Sequence, residues 1–348
     1  MITSRKPGVY SSYTVEKQSV TAFAQKSCGI VGKDETVLQP ELKVFESIEE
    51  VKGYIGNDAA KEKFVFGCEM LFSMGVKKIY FAFAKDKATV GTALSLFEGI
   101  KDMGVVVADE QLGEFVGDFN AHCIAMSEKQ KERFFVVGCE NVAAAATKAK
   151  ALNSQRAVVT AGKGIYKKGK VGYPFYLACL LSGICLSMKQ PNESLSLVDS
   201  EVLFGLEINP TDDEISLGIE NGVSVFEEQP HCVCLLKGLS TKVKTGDVTD
   251  RSFAPLTTVI TVDYIMESIR NMLYLLIKSK KVSGISYDSI SSQVCVLLSE
   301  FATRGLISSF EIPNIYPYST DSSVCVIEVK FKLLPCVDTI HLKAEILV

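Results

Sequence analysis

Apolar residues along this chain recur in two registers, and the switches between them outline its elements. From about residue 28 to residue 161, short apolar runs alternate with stretches of helical period. Lys77-Lys78-Ile79-Tyr80-Phe81-Ala82-Phe83, Gly104-Val105-Val106-Val107-Ala108, Phe134-Phe135-Val136-Val137 and Arg156-Ala157-Val158-Val159-Thr160 are short and mostly apolar. That is the pattern of strands buried on both faces of a parallel sheet. Residues 89–103 and the Ala-rich residues 142–151 predict helices between them. A helix is predicted over 173–188, then polar turns after Pro191 and a further strand, Cys232-Val233-Cys234-Leu235-Leu236.

Beyond an exposed loop predicted over 242–252 the pattern changes. The β-branched run Thr258-Val259-Ile260-Thr261 precedes an amphipathic helix over 264–277, and a second helix over 290–304 meets Gly305 as its cap. In residues 323–334, Cys325, Ile327, Val329, Phe331 and Leu333 share one face of a period-two strand. After Pro335, Ile340, Leu342, Ala344, Ile346 and Val348 alternate with polar residues in a last strand. At the other end, residues 1–20 are polar and read as extended. The fold class is therefore mixed, α/β and α+β: an extended arm over 1–20, an α/β middle domain over 21–240, a carboxyl-terminal α+β domain over 241–335 and a strand arm over 336–348.

Composition narrows the function. With 348 residues, 47% of them hydrophobic, the chain can bury more than one core. A net charge of −4, from 37 basic and 41 acidic residues, gives no general field for nucleic acid. The first residues lack the apolar stretch of a secretory signal, and the longest apolar run, near 176–188, is too short to span a bilayer and is broken by Ser182 and Gly183. A cytosolic protein with no membrane insertion of its own is expected. The eleven cysteines lie mostly in apolar segments and read as reduced core residues.

Candidate chemistry is sparse. Gly164-Ile165-Tyr166-Lys167-Lys168-Gly169-Lys170-Val171 follows a predicted strand and precedes a helix, as a phosphate loop would. However, Val171 stands where a magnesium-binding hydroxyl is needed, and two lysines crowd the middle. His122, His231 and His341 lie in separate contexts, and no nucleophile elbow surrounds a serine. Cys232 and Cys234 have only His231 nearby, too few ligands for zinc. Asp212, Asp213 and Glu214 are accounted for as the first turn of a helix capped by Thr211 or Asp212. Lys278, Lys280 and Lys281 suit a helix carboxyl terminus, or a contact with an acidic partner. No cofactor and no metal is expected.

Three collinear stretches resemble the contractile phage tail sheath family. Pro7-Gly8-Val9-Tyr10 is similar to the family's opening. Tyr173-Pro174 and its small-residue helix, followed by Glu207-Ile208-Asn209-Pro210-Thr211-Asp212-Asp213-Glu214-Ile215 and Glu220-Asn221-Gly222-Val223, resemble its central region. Val259-Ile260-Thr261-Val262-Asp263-Tyr264-Ile265, continuing to Ile277, resembles its strand and long helix, and residues 290–310 its second helix and glycine exit. Two positions depart: Thr261 stands near the usual arginine, and Lys280-Lys281-Val282 near the usual glycine-lysine-valine.

The resemblance implies a non-enzymatic subunit of a helical jacket of hexameric rings, as in small sheaths of simple phage tails or phage-tail-like bacteriocins. Its partners would be copies of itself, an inner tail tube, and baseplate and terminator proteins. It would belong to a tail or tail-like particle assembled in the bacterial cytoplasm. Arms carrying Pro7, Gly8, Val9 and Tyr10 at one end, and Ile340, Leu342, Ala344, Ile346 and Val348 at the other, would add strands to neighbouring subunits. Lys278, Lys280 and Lys281 would face the tube. Contraction would draw on a metastable assembled state rather than on a fuel site. The alternatives are an α/β enzyme with its active site at the strand ends and a nucleotide-dependent filament protein.

Overall fold

The computed structural model describes residues 26–56, 58–278 and 287–334. The first half builds strands and helices in turn: β1 (Ser27–Lys33), β2 (Lys43–Phe45), α1 (Ile48–Ile55), α2 (Glu62–Ser73), β3 (Ile79–Ala84), α3 (Lys87–Phe97), β4 (Met103–Ala108), α4 (Val116–Glu128), β5 (Phe134–Cys139), α5 (Val142–Leu152) and β6 (Ala157–Ala161). Next come β7 (Gly164–Ile165), α6 (Pro174–Ser187), β8 (Ser196–Ser200), β9 (Gly205–Leu206), α7 (Asp212–Glu220), β10 (Val223–Gln229), β11 (Cys232–Lys237), β12 (Lys244–Thr245) and β13 (Val248–Thr249). The chain then forms α8 (Leu256–Lys278), α9 (Tyr287–Thr303), β14 (Ile307–Phe310), β15 (Asn314–Tyr318), β16 (Asp321–Glu328) and β17 (Phe331–Leu333).

The principal sheet has nine strands in the order β2-β3-β1-β4-β5-β6-β10-β11-β8. Strands β3, β1, β4, β5, β6 and β10 are parallel, while β2 at one edge and β11 and β8 at the other pair antiparallel. Strand alternation feeds two cores. Ile30, Phe81, Val105, Val136 and Val158 face α1, α2 and α6. Val31, Ala82, Val106, Val137 and Val159 face α3, α4 and α5. Because both faces are covered, β3, β4, β5 and β6 are mostly apolar, which is why they were readable as short runs.

Helix α6 is buried on every side from Pro174 to Leu186, between the sheet and α2. Two close approaches make room for it. Gly138 in β5 lies under the backbone of Pro174, and Gly67 in α2 lies under the rings and thiol of Phe175 and Cys179.

A separate core forms at the carboxyl-terminal end, where Tyr264, Ile265 and Ile269 of α8 pack on Val294, Leu298 and Phe301 of α9 and on Leu306 and Ile307. The first turn of α8 belongs elsewhere: Leu256 and Val259 lie in the core beneath the principal sheet. One helix thus contributes to the carboxyl-terminal core and to one of the two cores on the sheet. As expected, α9 closes on Gly305, which takes φ +72°. Leu306 N donates to Phe301 O at 2.9 Å, and Gly305 N donates to Ala302 O at 3.0 Å.

Several expectations need correction. Residues 258–261, placed in a strand by the resemblance, are the first turns of α8. Burial of Val259 and Thr261 outweighs β-branched propensity there, and the Thr261 hydroxyl bridges Thr257 O at 2.8 Å and Pro191 O at 2.9 Å. The single strand over 323–334 is two, β16 and β17, in different pairs. Between them Lys330 O accepts from Glu311 N. Helix α3 stops at Phe97 rather than Met103, and Met103 opens β4. The loop over 242–252 contains the small exposed hairpin β12–β13. Seven of the ten described cysteines are buried, but Cys325 is exposed.

Candidate assembly surface

In an open parallel sheet, ligands bind where the strand order reverses, beyond the carboxyl ends of the strands. Here that place is between β1 and β4, since the chain passes from β3 across β1 to β4. It is filled by side chains. Lys63 Nζ lies 2.6 Å from Asp109 Oδ1 and 2.7 Å from Glu110 Oε1, and Asp109 Oδ2 accepts from Lys33 N at 2.9 Å. Lys63 and Asp109 are buried. Burial and the adjacent Asp109 carboxylate push Glu110 up to about 7 against the pull of Lys63, and its Oε2 has no hydrogen-bond partner.

The other sequence candidates are spread over separate elements. In the 164–171 segment Gly164–Ile165 pairs with β9, Lys170 reaches Glu62 at 3.0 Å and Lys167 lies 3.6 Å from Glu69. Thr211 caps α7 in a reciprocal box with Glu214, which accounts for the acidic run. Cys232 and Cys234 lie on β11 opposite β8 and share Asp199 as a neighbour. His122 is buried in α4, and desolvation, with Arg133 nearby, lowers it to about 4. Among the described residues no group of three or more His, Cys, Asp or Glu is placed to hold a metal ion. Among them, too, no helix is long and apolar enough to cross a membrane.

The opposite, amino-terminal edge of the sheet is built differently. Asp263, Glu267 and Arg270 follow one another at helical spacing on α8, and each meets a partner just before or at the start of a strand. Arg156 makes a two-pronged contact with Asp263 at 2.5 and 2.8 Å; Arg270 meets Glu132 at 2.6 Å; Glu267 meets Lys26 at 3.1 Å. The ladder therefore fixes α8 across β6, β5 and β1. Asn192 Nδ2 adds a bond to Gly305 O at 3.1 Å. These contacts were not foreseen, because 107 residues separate Arg156 from Asp263. The i, i+4, i+7 charge spacing on α8 was the only available cue.

Beyond this junction the strands are incompletely paired. β14 pairs only with β17, and β15 only with β16, among the described residues. A two-stranded ladder is marginal alone, and each has an edge that is unpaired among the described residues. Ile312, Tyr318 and Leu334 are exposed around them. A groove of about 550 Å³ is lined by Phe331, Leu333 and Leu334 together with Leu195, Phe253 and Thr258. Lys278 is exposed at the end of α8, following exposed Tyr274, Leu275 and Ile277. Pro7, Gly8, Val9, Tyr10, Lys280, Lys281, Ile340, Leu342, Ala344, Ile346 and Val348 lie outside the described residues.

No protein-family model and no curated protein sequence matches the chain. Solved structures do match, over nearly its whole length. The helical sheath of the anti-feeding prophage in its contracted state is 12% identical with a TM-score of 0.69, covering 98% of this chain and 99% of that one. The sheath tail protein from Listeria innocua is 10% identical with a TM-score of 0.71, over 90% and 94%. The one from Desulfitobacterium hafniense is 10% identical with a TM-score of 0.64, over 94% and 100%. The fold is that of contractile tail sheath proteins.

Proposed function

We propose that the chain is a structural subunit of a contractile tail sheath, stacking as hexameric rings around an inner tube and contracting to drive that tube through a cell envelope. The observation that carries this reading is the pair of two-stranded ladders whose outer edges are unpaired among the described residues, set on a sheath fold and beside a groove. Such edges need strands from elsewhere. The arms over 1–20 and 336–348 are suitable donors, passed to neighbouring subunits. About five backbone hydrogen bonds per donated strand contribute several kcal/mol. Each fully buried side chain among Ile340, Leu342, Ile346 and Val348 adds about 1.5–3 kcal/mol. Links of this kind keep neighbours joined while their bodies rotate.

On this reading the α/β body over 21–240 and the unit over 241–335 form the working subunit. Lys278, Lys280 and Lys281 meet the acidic inner tube, and baseplate and terminator proteins cap the ends. The site of action is a phage tail or a bacteriocin-like particle assembled in the host cytoplasm. Filling of the β1–β4 switch point by Lys63, Asp109 and Glu110 favours this reading over an α/β enzyme. Electron microscopy of the purified protein tests it. Tubes or stacked rings are expected; monodisperse particles at every concentration and salt condition count against it.

A further inference from the structure

A slot of about 110 Å³ opens between α8 and the amino ends of β1, β4 and β5. Val105, Phe134, Leu186 and Ile260 give it an apolar lining, Cys185 contributes to the wall, and Lys26 stands at its edge. The charged groups around it are already matched: Lys26 with Glu267, Glu132 with Arg270, and Asp263 with Arg156. What the slot can take is therefore an apolar group of about one side chain. An ionic ligand would have to break existing pairs, and the rest of the lining, Tyr264, Ser268 and Asn271, is uncharged.

The chain itself supplies a group of that kind. Residues 1–25 lead into Lys26, and the last of them are Ala22-Phe23-Ala24-Gln25. Chain geometry holds the Cα of Phe23 within about 11 Å of that of Lys26, since each residue spans at most about 3.6 Å. Phe23 is the only large apolar residue from Thr21 to Gln25. We propose that the slot is the seat of Phe23 from the same chain, so that the amino-terminal segment is pinned beneath α8 before it reaches β1.

Seating Phe23 there ties three parts of the molecule together. The slot's walls come from α6, from strand starts and from the middle of α8, and the next turns of α8 form the carboxyl-terminal core. The ring would act as a root for everything amino-terminal to it, fixing where residues 1–20 leave the body. This docking is internal to one subunit and does not depend on the sheath reading, so the two stand or fall separately.

Cys185 provides the test, using the full chain. Modification of Cys185 by N-ethylmaleimide is followed by peptide mass spectrometry in wild type, Phe23→Ala and Phe23→Leu. Phe23→Ala should speed the reaction at least about tenfold, and Phe23→Leu should stay near wild type. In dilute monomer, Phe23→Cys should form an intrachain disulfide with Cys185 on mild oxidation, within the 4.4–6.8 Å Cα separation such bonds usually span. Should Phe23→Ala fail to fold, the Phe23→Cys crosslink decides. Equal Cys185 reactivity in wild type and Phe23→Ala overturns the proposal, as does absence of the crosslink. A crosslink formed only between subunits also overturns it, by giving the slot to a neighbour's arm.

Discussion

Asp263 and Arg156 face each other in a two-pronged, mostly buried ion pair that joins the middle of α8 to the start of β6. Val262-Asp263 is the sequence pair beside which the sheath resemblance leads one to expect an arginine. An arginine does meet Asp263, but it is Arg156, the residue before β6, rather than a neighbour on α8. The geometry makes the carboxyl-terminal core depend on a contact with the α/β body, because the same helix serves both.

Removing one member of this pair strands the other away from water. Asp263→Ala should cost about 3–5 kcal/mol, measured by urea unfolding. The double variant Arg156→Met/Asp263→Leu should recover much of that loss, because an apolar pair needs no charge compensation. A single-variant cost below about 1 kcal/mol would mean the pair is solvated and does not fasten α8.

Glu110 predicts an inverted pH response. Its folded value is raised from 4.5 to about 7 by burial and by Asp109. The folded state therefore binds the proton more tightly than the unfolded state does. This group's contribution is fully present below about pH 4.5 and is lost as pH rises through about 7. Glu110→Gln, which keeps a neutral group there, should raise stability at pH 8 relative to pH 5 by about 2 kcal/mol compared with wild type. Melting curves at the two pH values check this; parallel changes in both proteins would show that Glu110 does not hold the proton.

Much of the body was legible because its strands are buried on both faces. Runs such as Val105-Val106-Val107 admit few other readings, and Gly305 and Thr211 mark helix ends through local chemistry. The carboxyl-terminal unit was harder to read. Residues 258–261 have strand propensity, but Val259 is packed in the body core and the Thr261 hydroxyl is bonded, so tertiary contacts decide. The alternation from Cys325 to Leu333 is real, yet period-two pattern cannot reveal that the chain changes partner near Lys330. The departure of residues 164–171 from a phosphate-loop pattern is visible at Val171 alone, whereas the Lys63–Asp109–Glu110 cluster draws on elements 46 and 47 residues apart.

Gly138 is a steric prediction. A side chain there would point at the backbone of Pro174, which opens helix α6, buried as far as Leu186, and has no flexible end to move aside. Gly138→Ala should therefore destabilise by about 1–3 kcal/mol in chemical unfolding. An effect near zero would show that α6 can shift away from β5 freely.

Lys278 at the end of α8, with Lys280 and Lys281 after it in sequence, carries the proposed tube contact. Single exposed pairs contribute little and are screened by salt, so the contact depends on many copies acting together. Reversing Lys278, Lys280 and Lys281 to glutamate should leave the melting temperature of the isolated subunit within about 2 °C while impairing assembly on the tube. Normal assembly by the triple variant would leave those lysines only their helix-end role.

Deletion of the arms gives the most decisive outcome. Among the described residues the two carboxyl-terminal ladders have unpaired edges, while the body has its own cores. If the arms complete a neighbour's ladder, removing them should abolish polymerisation without unfolding the subunit. A chain ending before Pro335, or one lacking residues 2–13, should be a monomer by sedimentation with near-native circular dichroism and melting. Wild type should form tubes or rings in the same buffer. Losing about five backbone hydrogen bonds and several buried side chains at every junction removes enough free energy for the difference to be all-or-none. Truncated proteins that still polymerise normally would show that the linkage lies elsewhere. Truncated proteins that precipitate unfolded would show that the last strand completes its own subunit's ladder, which would remove the physical basis for strand exchange.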